Sequence, residues 1–401
     1  MTDTSCASPH STGKLRWNFR VIFALLILLG IAIITVLREQ GPWILRPGLH
    51  LYAYVANTAD GTLTVVDLAR LAAVATIAVG PEPSGVRANP KRDEIWGVST
   101  AGGYVWVLDA KLSRVVARIP VGLQPYALDF SPDGARAYVA ASGSNTVVAI
   151  DCASRQIVAR GRAGRRPWIA RVTPDGKTVV VTNRDDATVT LLDSTTLAQI
   201  AVIPVATQPE QIAILPDSTK AFISSGNSRR ISVVDLRKPA AAGKPALIAN
   251  LELDGTAGDF VFKPDGGELY IPSPDAHGLI IVSTWTNEVS DYVLAGSAPA
   301  RAILSADGQT LYVADPAANH VAAIQIAFRQ VLPHPVSTGQ QPTTMAFTPM
   351  GDTLLVVDAG SDDLAVIRTA GCSQVQGGSN DCLTTLIPVG HEPRDIAVKL
   401  F

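Results

Sequence analysis

A four-residue turn of the form Gly-x-x-Pro recurs along this chain at a nearly fixed interval, and the interval decides what the chain can fold into. Pro83, Pro125, Pro167 and Pro209 follow one another at a spacing of 42 residues. Between two such turns, as in 122–163, the sequence breaks into four short apolar runs: 126–130, 137–141, 146–150 and 157–160. The breakers are Ser131-Pro132-Asp133-Gly134, then Gly143-Ser144-Asn145, then Asp151. Pro and Gly hold their favoured turn positions there, and the runs between are β-branched or alternating. Four strands of about five residues joined by tight turns make an antiparallel meander.

The same spelling continues to the C-terminus. The opening turn recurs at Gly296, Gly339 and Gly390, with a degenerate copy at Asp254-Gly-Thr-Ala257. The inner turn recurs as Thr173-Pro-Asp-Gly176, Leu215-Pro-Asp-Ser218, Lys263-Pro-Asp-Gly266, Ser305-Ala-Asp-Gly308 and Thr348-Pro-Met-Gly351. A period near 40 with four strands per unit reads as propeller blades, because one four-stranded sheet cannot bury both its faces but a ring of sheets can. The count of opening turns predicts an all-β fold, a single β-propeller over 51–401 with eight blades, seven being the alternative. Residues 51–79 supply a second, third and fourth strand and no first, while the chain ends in one opening turn plus one strand. The expectation is a composite first blade whose C-terminal strand closes the ring and covers the free sheet edge.

Second strands spelled YVAN at Tyr54, VVTN at Val180 and YVAD at Tyr312, together with the Pro-Asp-Gly and Gly-x-x-Pro turns, carry a resemblance. The pattern resembles the YVTN β-propeller repeat family of surface-layer and other exported microbial proteins, and it covers 51–401. That resemblance implies a propeller fold. Related propellers include binding modules, lactonases and the haem-bearing domain of dissimilatory nitrite reductases, so it leaves the activity open.

Ahead of the repeats, residues 1–20 form a basic tail with Lys14, Arg16 and Arg20, and 21–37 carry no charge. Seventeen residues at helical rise span about 25 Å, enough for a bilayer core, and no small-residue cleavage site follows. The reading is a transmembrane signal-anchor helix at 21–37, a linker at 38–50 and a propeller held outside the cytoplasm, with the basic tail inside. This places the protein in the cytoplasmic membrane, single-pass, facing the periplasm or the exterior. Of the four cysteines, Cys6 falls in the tail and Cys152 reads as a buried filler. Cys372 and Cys382 flank an insertion in the last full blade, where a disulfide can persist outside the cytoplasm.

Net charge is −2 with 17% charged residues, which gives no reason to expect a nucleic-acid partner. No CxxCH, HExxH, GxSxG or phosphate-loop signature is present, so no catalytic residue is assigned. The aspartates at 67, 109, 151, 193 and 235 recur at the ends of third strands and read as turn caps. The Pro-Asp-Gly face is uniform in spelling, whereas the opposite face varies from blade to blade and should carry any ligand site. Candidates there are Tyr126, Arg165, Arg166, Trp168, Glu210, Asp259, Arg301, His391 and Arg394. Arg160, Arg162, Arg165, Arg166 and Arg171 around Trp168 suit an anionic or aromatic ligand. The leading expectation is a membrane-anchored binding or scaffolding module for a protein, an envelope polymer or a small ligand, with no assigned cofactor. The alternatives are a lactonase-like hydrolase needing a convergent polar cluster, and a propeller with non-covalent haem on His277, His320 or His391.

Overall fold

The computed structural model describes residues 49–226, 228–237, 247–369 and 382–401. Eight antiparallel sheets form, seven of four strands and one of five, and each follows one repeat. In the third blade Pro125–Phe130 lies innermost, then Arg136–Ala141, Thr146–Asp151 and Gln156–Arg162 at the outside. The middle strands are buried on both faces, so their sequences are nearly continuous in Val, Ile and Ala. Outer strands alternate, as in Gln156–Arg162, because one face meets solvent.

The composite blade forms as the ends of the repeat array require. Pro393–Leu400 pairs antiparallel with Leu51–Asn57, matching Tyr54 to Ala397 and Val55 to Ile396. His50 and Phe401 add two backbone hydrogen bonds of 2.8 and 3.0 Å beyond that ladder. The sheet order is therefore outer, third and second strand from the start of the array, then the inner strand from its end.

Stability comes from the layers between blades, where large side chains of neighbouring sheets meet. Trp106 joins Tyr54, Leu63 and Ala397 between the first and second blades. Trp96 joins Val139, Val148 and Ile150 between the second and third. Burying an aromatic ring of this size stabilises by roughly 2–3 kcal/mol each. The small residue beside such a ring is obligatory: a Cβ on Gly97 would stand 2.2 Å from the Trp106 ring. Two blades depart from the pattern. The inner strand of the sixth shrinks to Val261–Phe262, following the degenerate turn at 254–257. The outer strand of the seventh splits into Gln330–Val331 and Val336–Ser337 around Pro333 and Pro335, which cannot donate to a ladder.

The repeated aspartates are turn caps. Asp67 accepts from the Ala69 and Arg70 backbone, Asp151 from Ser154, and Asp193 from Thr195 and Thr196. The glycines of the inner turns, Gly134, Gly176, Gly266, Gly308 and Gly351, hold φ between 68° and 74°, which explains that spelling. Cys152 is free and buried, with its thiol pushed up to about 12 by burial. The anchor helix expected at 21–37, Cys6 and Cys372 lie outside the described residues, and with Cys372 so does the expected bridge to Cys382. Among the described residues no helix is long and apolar enough to cross a membrane.

Candidate functional site at the channel mouth

Inner strands run along the central channel, so alternate side chains after each Gly-x-x-Pro turn point into it. The turns themselves, with the loops joining second and third strands, ring one end of the channel. A cavity of about 880 Å³ opens there, bordered by Thr58, Thr100, Glu82 and Glu392 from those loops, by inner-strand residues of seven blades and by Asp259 and Phe260 just before the inner strand of the sixth. It is the varied face, as the spelling of the turns suggested. In six blades the third residue of the turn is a non-glycine residue with positive φ: Glu82, Gln124, Arg166, Gln208, Gln341 and Glu392, near 50°. The next residue is the proline that begins each inner strand in these blades.

Three ion pairs cross between neighbouring blades inside the channel. Arg87 of the second blade meets Asp395 of the first at 3.4 Å. Arg171 of the fourth meets Asp129 of the third at 3.5 Å. Arg301 of the seventh meets Asp259 of the sixth. In the first two pairs the carboxylate also accepts the backbone N–H beside its arginine, from Val86 at 2.8 Å and from Val172 at 3.1 Å. Each of these acids thus fastens one inner strand to the next and orients a guanidinium along the channel wall.

Arg171 differs from the other two. Its side chain is the least exposed of the three, at 28%, and desolvation pulls its guanidinium below its ordinary value despite the attraction of Asp129 and the more distant Asp259 and Asp395. An arginine stays charged in practice. It keeps its charge in a partly desolvated wall beside a 3.5 Å carboxylate partner, and an anion brought to it would be attracted.

Beside the cavity lies an aromatic shelf. Tyr126 and Trp168, the residues after the prolines of the third and fourth turns, stack at 4.0 Å with 22° between planes. Arg184 covers Trp168 at 4.8 Å and is itself paired with Glu210. Cation–π contact and ion pair fix the outer side of the stack, and Tyr126, 39% exposed, presents itself to the cavity. Ile169, Ile212, Phe260, Ile303, Met345 and Ile396 add apolar surface to the wall.

Of the residues proposed from sequence, Tyr126, Asp259, Arg301 and Arg394 line this one cavity. Glu210 and Trp168 support its shelf. Arg165 and Arg166 do not join it: they turn to Asp186 and Asp185 on the second-to-third loop of their own blade. Arg160 donates to the Val121 carbonyl on the outer side. The arginine group expected around Trp168 is thus dispersed, because residues of an inner strand, a turn and an outer strand project in different directions. Only Arg171 of that group reaches the channel, and the guanidinium over Trp168 is Arg184. His391 lies on the rim with a 2.7 Å hydrogen bond to Asp362, which raises its pKa. Sequence reasoning passed over Arg87 and Asp129. The signal was there, since Arg87, Asp129 and Arg171 each stand four residues after a turn proline.

The residues expected for other chemistry do not converge. His277 holds the Ser297 carbonyl in a loop, and His320 starts a third strand opposite Asp315. Neither they nor His391 is among the described lining residues. Among the described residues there is no group of three or more His, Cys, Asp or Glu side chains placed to hold a metal ion. The lactonase-like reading required such convergence. A second cavity, of about 460 Å³, opens near the split outer strand of the seventh blade, toward Tyr312, Leu332 and Met350.

Fold and site together define the class: an eight-bladed β-propeller, closed by its C-terminal strand, with a mixed polar and apolar cavity at its channel mouth. Its fold has solved relatives. The dihydro-haem d1 dehydrogenase NirN, solved in complex with DHE, is similar with a TM-score of 0.68 at 17% identity, covering 86% of this chain and 74% of that one. Hydrazine synthase of Kuenenia stuttgartiensis is similar with a TM-score of 0.56 at 21% identity, over 72% of this chain and 96% of that one. A functionally unknown protein from Desulfotomaculum acetoxidans DSM 771 is similar with a TM-score of 0.56 at 14% identity, over 86% and 98%. At these identities the likeness is one of fold. No family model matches the chain and no curated protein does, so the resemblance to YVTN repeats rests on the turn and strand motifs alone.

Proposed function

We propose that this propeller is a binding module that takes a flat organic molecule bearing carboxylate groups at its channel mouth. The observation that carries the reading is the placement of Arg171, half-buried with a 3.5 Å carboxylate partner, in the wall of a cavity whose rim holds the Tyr126–Trp168 stack. A planar face stacks on Tyr126, the body meets the isoleucines and Phe260, and a carboxylate reaches Arg171. The cavity volume is within the range of small-molecule sites, roughly 300–1,000 Å³.

NirN, solved with DHE, suggests a chemical class, the tetrapyrrole carboxylates. The organic part of such a group suits this wall. Its iron does not, because the described lining residues include no His and no Cys, and no step through a metal is derived. Binding is therefore assigned to ring face and carboxylates.

Two porphyrins separate these contributions. Protoporphyrin IX titrated into the protein is expected to bind saturably, and its dimethyl ester about tenfold more weakly, since one charge-assisted contact is lost. Arg171→Met is expected to weaken the free acid by about the same factor and leave the ester unchanged. Equal affinities for acid and ester, or no saturable binding, would remove the proposal.

The reading keeps the address inferred from the N-terminus: 21–37 as a membrane anchor, the propeller outside the cytoplasm and Cys372 bridged to Cys382. Protein denatured without reductant after isolation from the cell envelope is expected to titrate with two thiols, from Cys6 and Cys152. Four reactive thiols would contradict both the bridge and the oxidising location.

A further inference from the structure

One position in the repeat varies among the blades, and in the eighth it holds two facing carboxyls. The last residue of each second strand lies opposite the first residue of the third: Asn57 with Thr62, Asn183 with Thr188, Asp315 with His320, and Asp358 with Asp363. Where the pair is Asn and Thr its logic is complete. The Asn57 amide donates to Thr62 and Thr64 at 3.0 and 2.8 Å while its oxygen accepts the Gly390 N–H at 3.2 Å. Asn183 repeats this with Thr188, Thr190 and Gly164. Asp358 keeps the acceptor half, taking the Gly339 N–H at 2.9 Å. In place of the amide it turns an oxygen toward Asp363.

Asp358 is wholly buried, and its Oδ1, like Oδ1 of Asp363, is shielded from water with no donor on it. Two acceptors cannot bond without a hydrogen between them. We propose that Asp358 and Asp363 share one proton, and that this proton holds the eighth blade to the closing first blade. The loop between the two strands makes that junction. Ala359 and Gly360 donate to the Gln341 and Gln340 carbonyls at 3.0 and 2.9 Å. Asp362 accepts the Glu392 N–H at 3.0 Å and the His391 ring at 2.7 Å.

Among the described residues no Lys or Arg forms an ion pair with either carboxyl to replace the proton. The loop adds Asp362, the closing turn adds His391 and Glu392, and the first blade adds Asp60, which accepts the His391 N–H. From the seventh blade, whose Asn319 accepts the Gln341 N–H, the charged or titratable groups are Asp315 and His320. Burial, reinforced by the hydrogen bond to Asp363, pushes Asp358 up to about 8. The sign follows: an unfolded aspartate ionises near 4, the folded pair holds its proton to about 8, and stability is lost as pH rises through that interval. This device does not depend on what the channel binds.

Infrared difference spectra of the full chain are expected to show a protonated-carboxyl band that fades above about pH 8 and is absent in Asp358→Asn. Asn should fit, since Asn57 and Asn183 already occupy the equivalent site. The melting temperature of wild type is expected to fall relative to Asp358→Asn between pH 5 and 9, by about 5 °C at the upper end. Hydrogen exchange at 339–341 and 391–392 should quicken over the same range in wild type alone. Asp363→Asn, which also supplies a donor, is expected to behave like Asp358→Asn and serves if that variant does not fold. Parallel pH profiles for wild type and both variants would overturn the proposal. So would restoration of wild-type stability at pH 9 by added calcium, because a metal ion and not a proton would then bridge the pair.

Discussion

A chain ending at residue 392 is expected to lose cooperative unfolding at ordinary temperatures. The removed strand, Pro393–Leu400, supplies the whole inner edge of the first blade. Its loss uncovers Leu51–Asn57, an apolar strand that becomes an open edge. It also removes buried Ile396 and Ala397, the Phe401 contact with Tyr52 at 5.4 Å, and the Lys399 hydrogen bond to the Asn89 carbonyl. Asp395 goes too, leaving the Val86 N–H and Arg87 without their acceptor. Six or more ladder hydrogen bonds at about 1 kcal/mol each already approach the net stability of an ordinary domain, and the lost burial adds to them. Thermal melts followed by circular dichroism, with size-exclusion chromatography for aggregation, would check this. A truncated monomer melting within a few degrees of the full chain would show that the ring does not depend on its closing strand.

The second large effect lies at Glu94, in the layer between the second and third blades. Its buried carboxylate accepts from Trp96 Nε1 at 3.0 Å and Arg155 at 2.8 Å, and pairs with Arg92 at 3.1 Å. Burial alone would raise its pKa. Hydrogen bonds from Arg155, Arg92 and Trp96 together outweigh that, and the net direction is down. Glu94→Ala leaves two guanidinium groups and an indole N–H without their acceptor. The expected loss is about 3 kcal/mol, at the low end for a broken buried pair because Arg92 is 40% exposed and partly served by water. For a chain of this length that is a fall of about 4 °C in melting temperature. Because the folded pKa is depressed, the wild-type advantage is full above the ordinary glutamate range and shrinks as pH falls below about 4. An undiminished difference between wild type and Glu94→Ala at pH 3 would mean that the carboxylate charge is not the source.

Local chemistry made the architecture readable. Positive φ at Gly134 and its equivalents requires glycine, third-strand aspartates cap their own turns, and the orphan strand at the C-terminus matches the strand missing at the start. Each of those signals acts within a few residues, so it is written in the order of the chain. The same holds for the choice of face, since the invariant turn is a structural one and the varied turns surround the cavity.

The contents of the channel were less legible. Arg165, Arg166 and Arg171 are close in sequence, yet two of them turn to Asp186 and Asp185 while the third meets Asp129 a full repeat away. The aromatic shelf likewise joins Tyr126 and Trp168 across 42 positions. Sequence alone determined the blade and the closure and favoured eight blades over seven, the number the structure has, because strands, turns and missing partners are short-range facts repeated along the chain. Tertiary structure alone decided which charges share the channel. Those depend on how neighbouring blades are rotated about the axis, and no single repeat encodes that rotation.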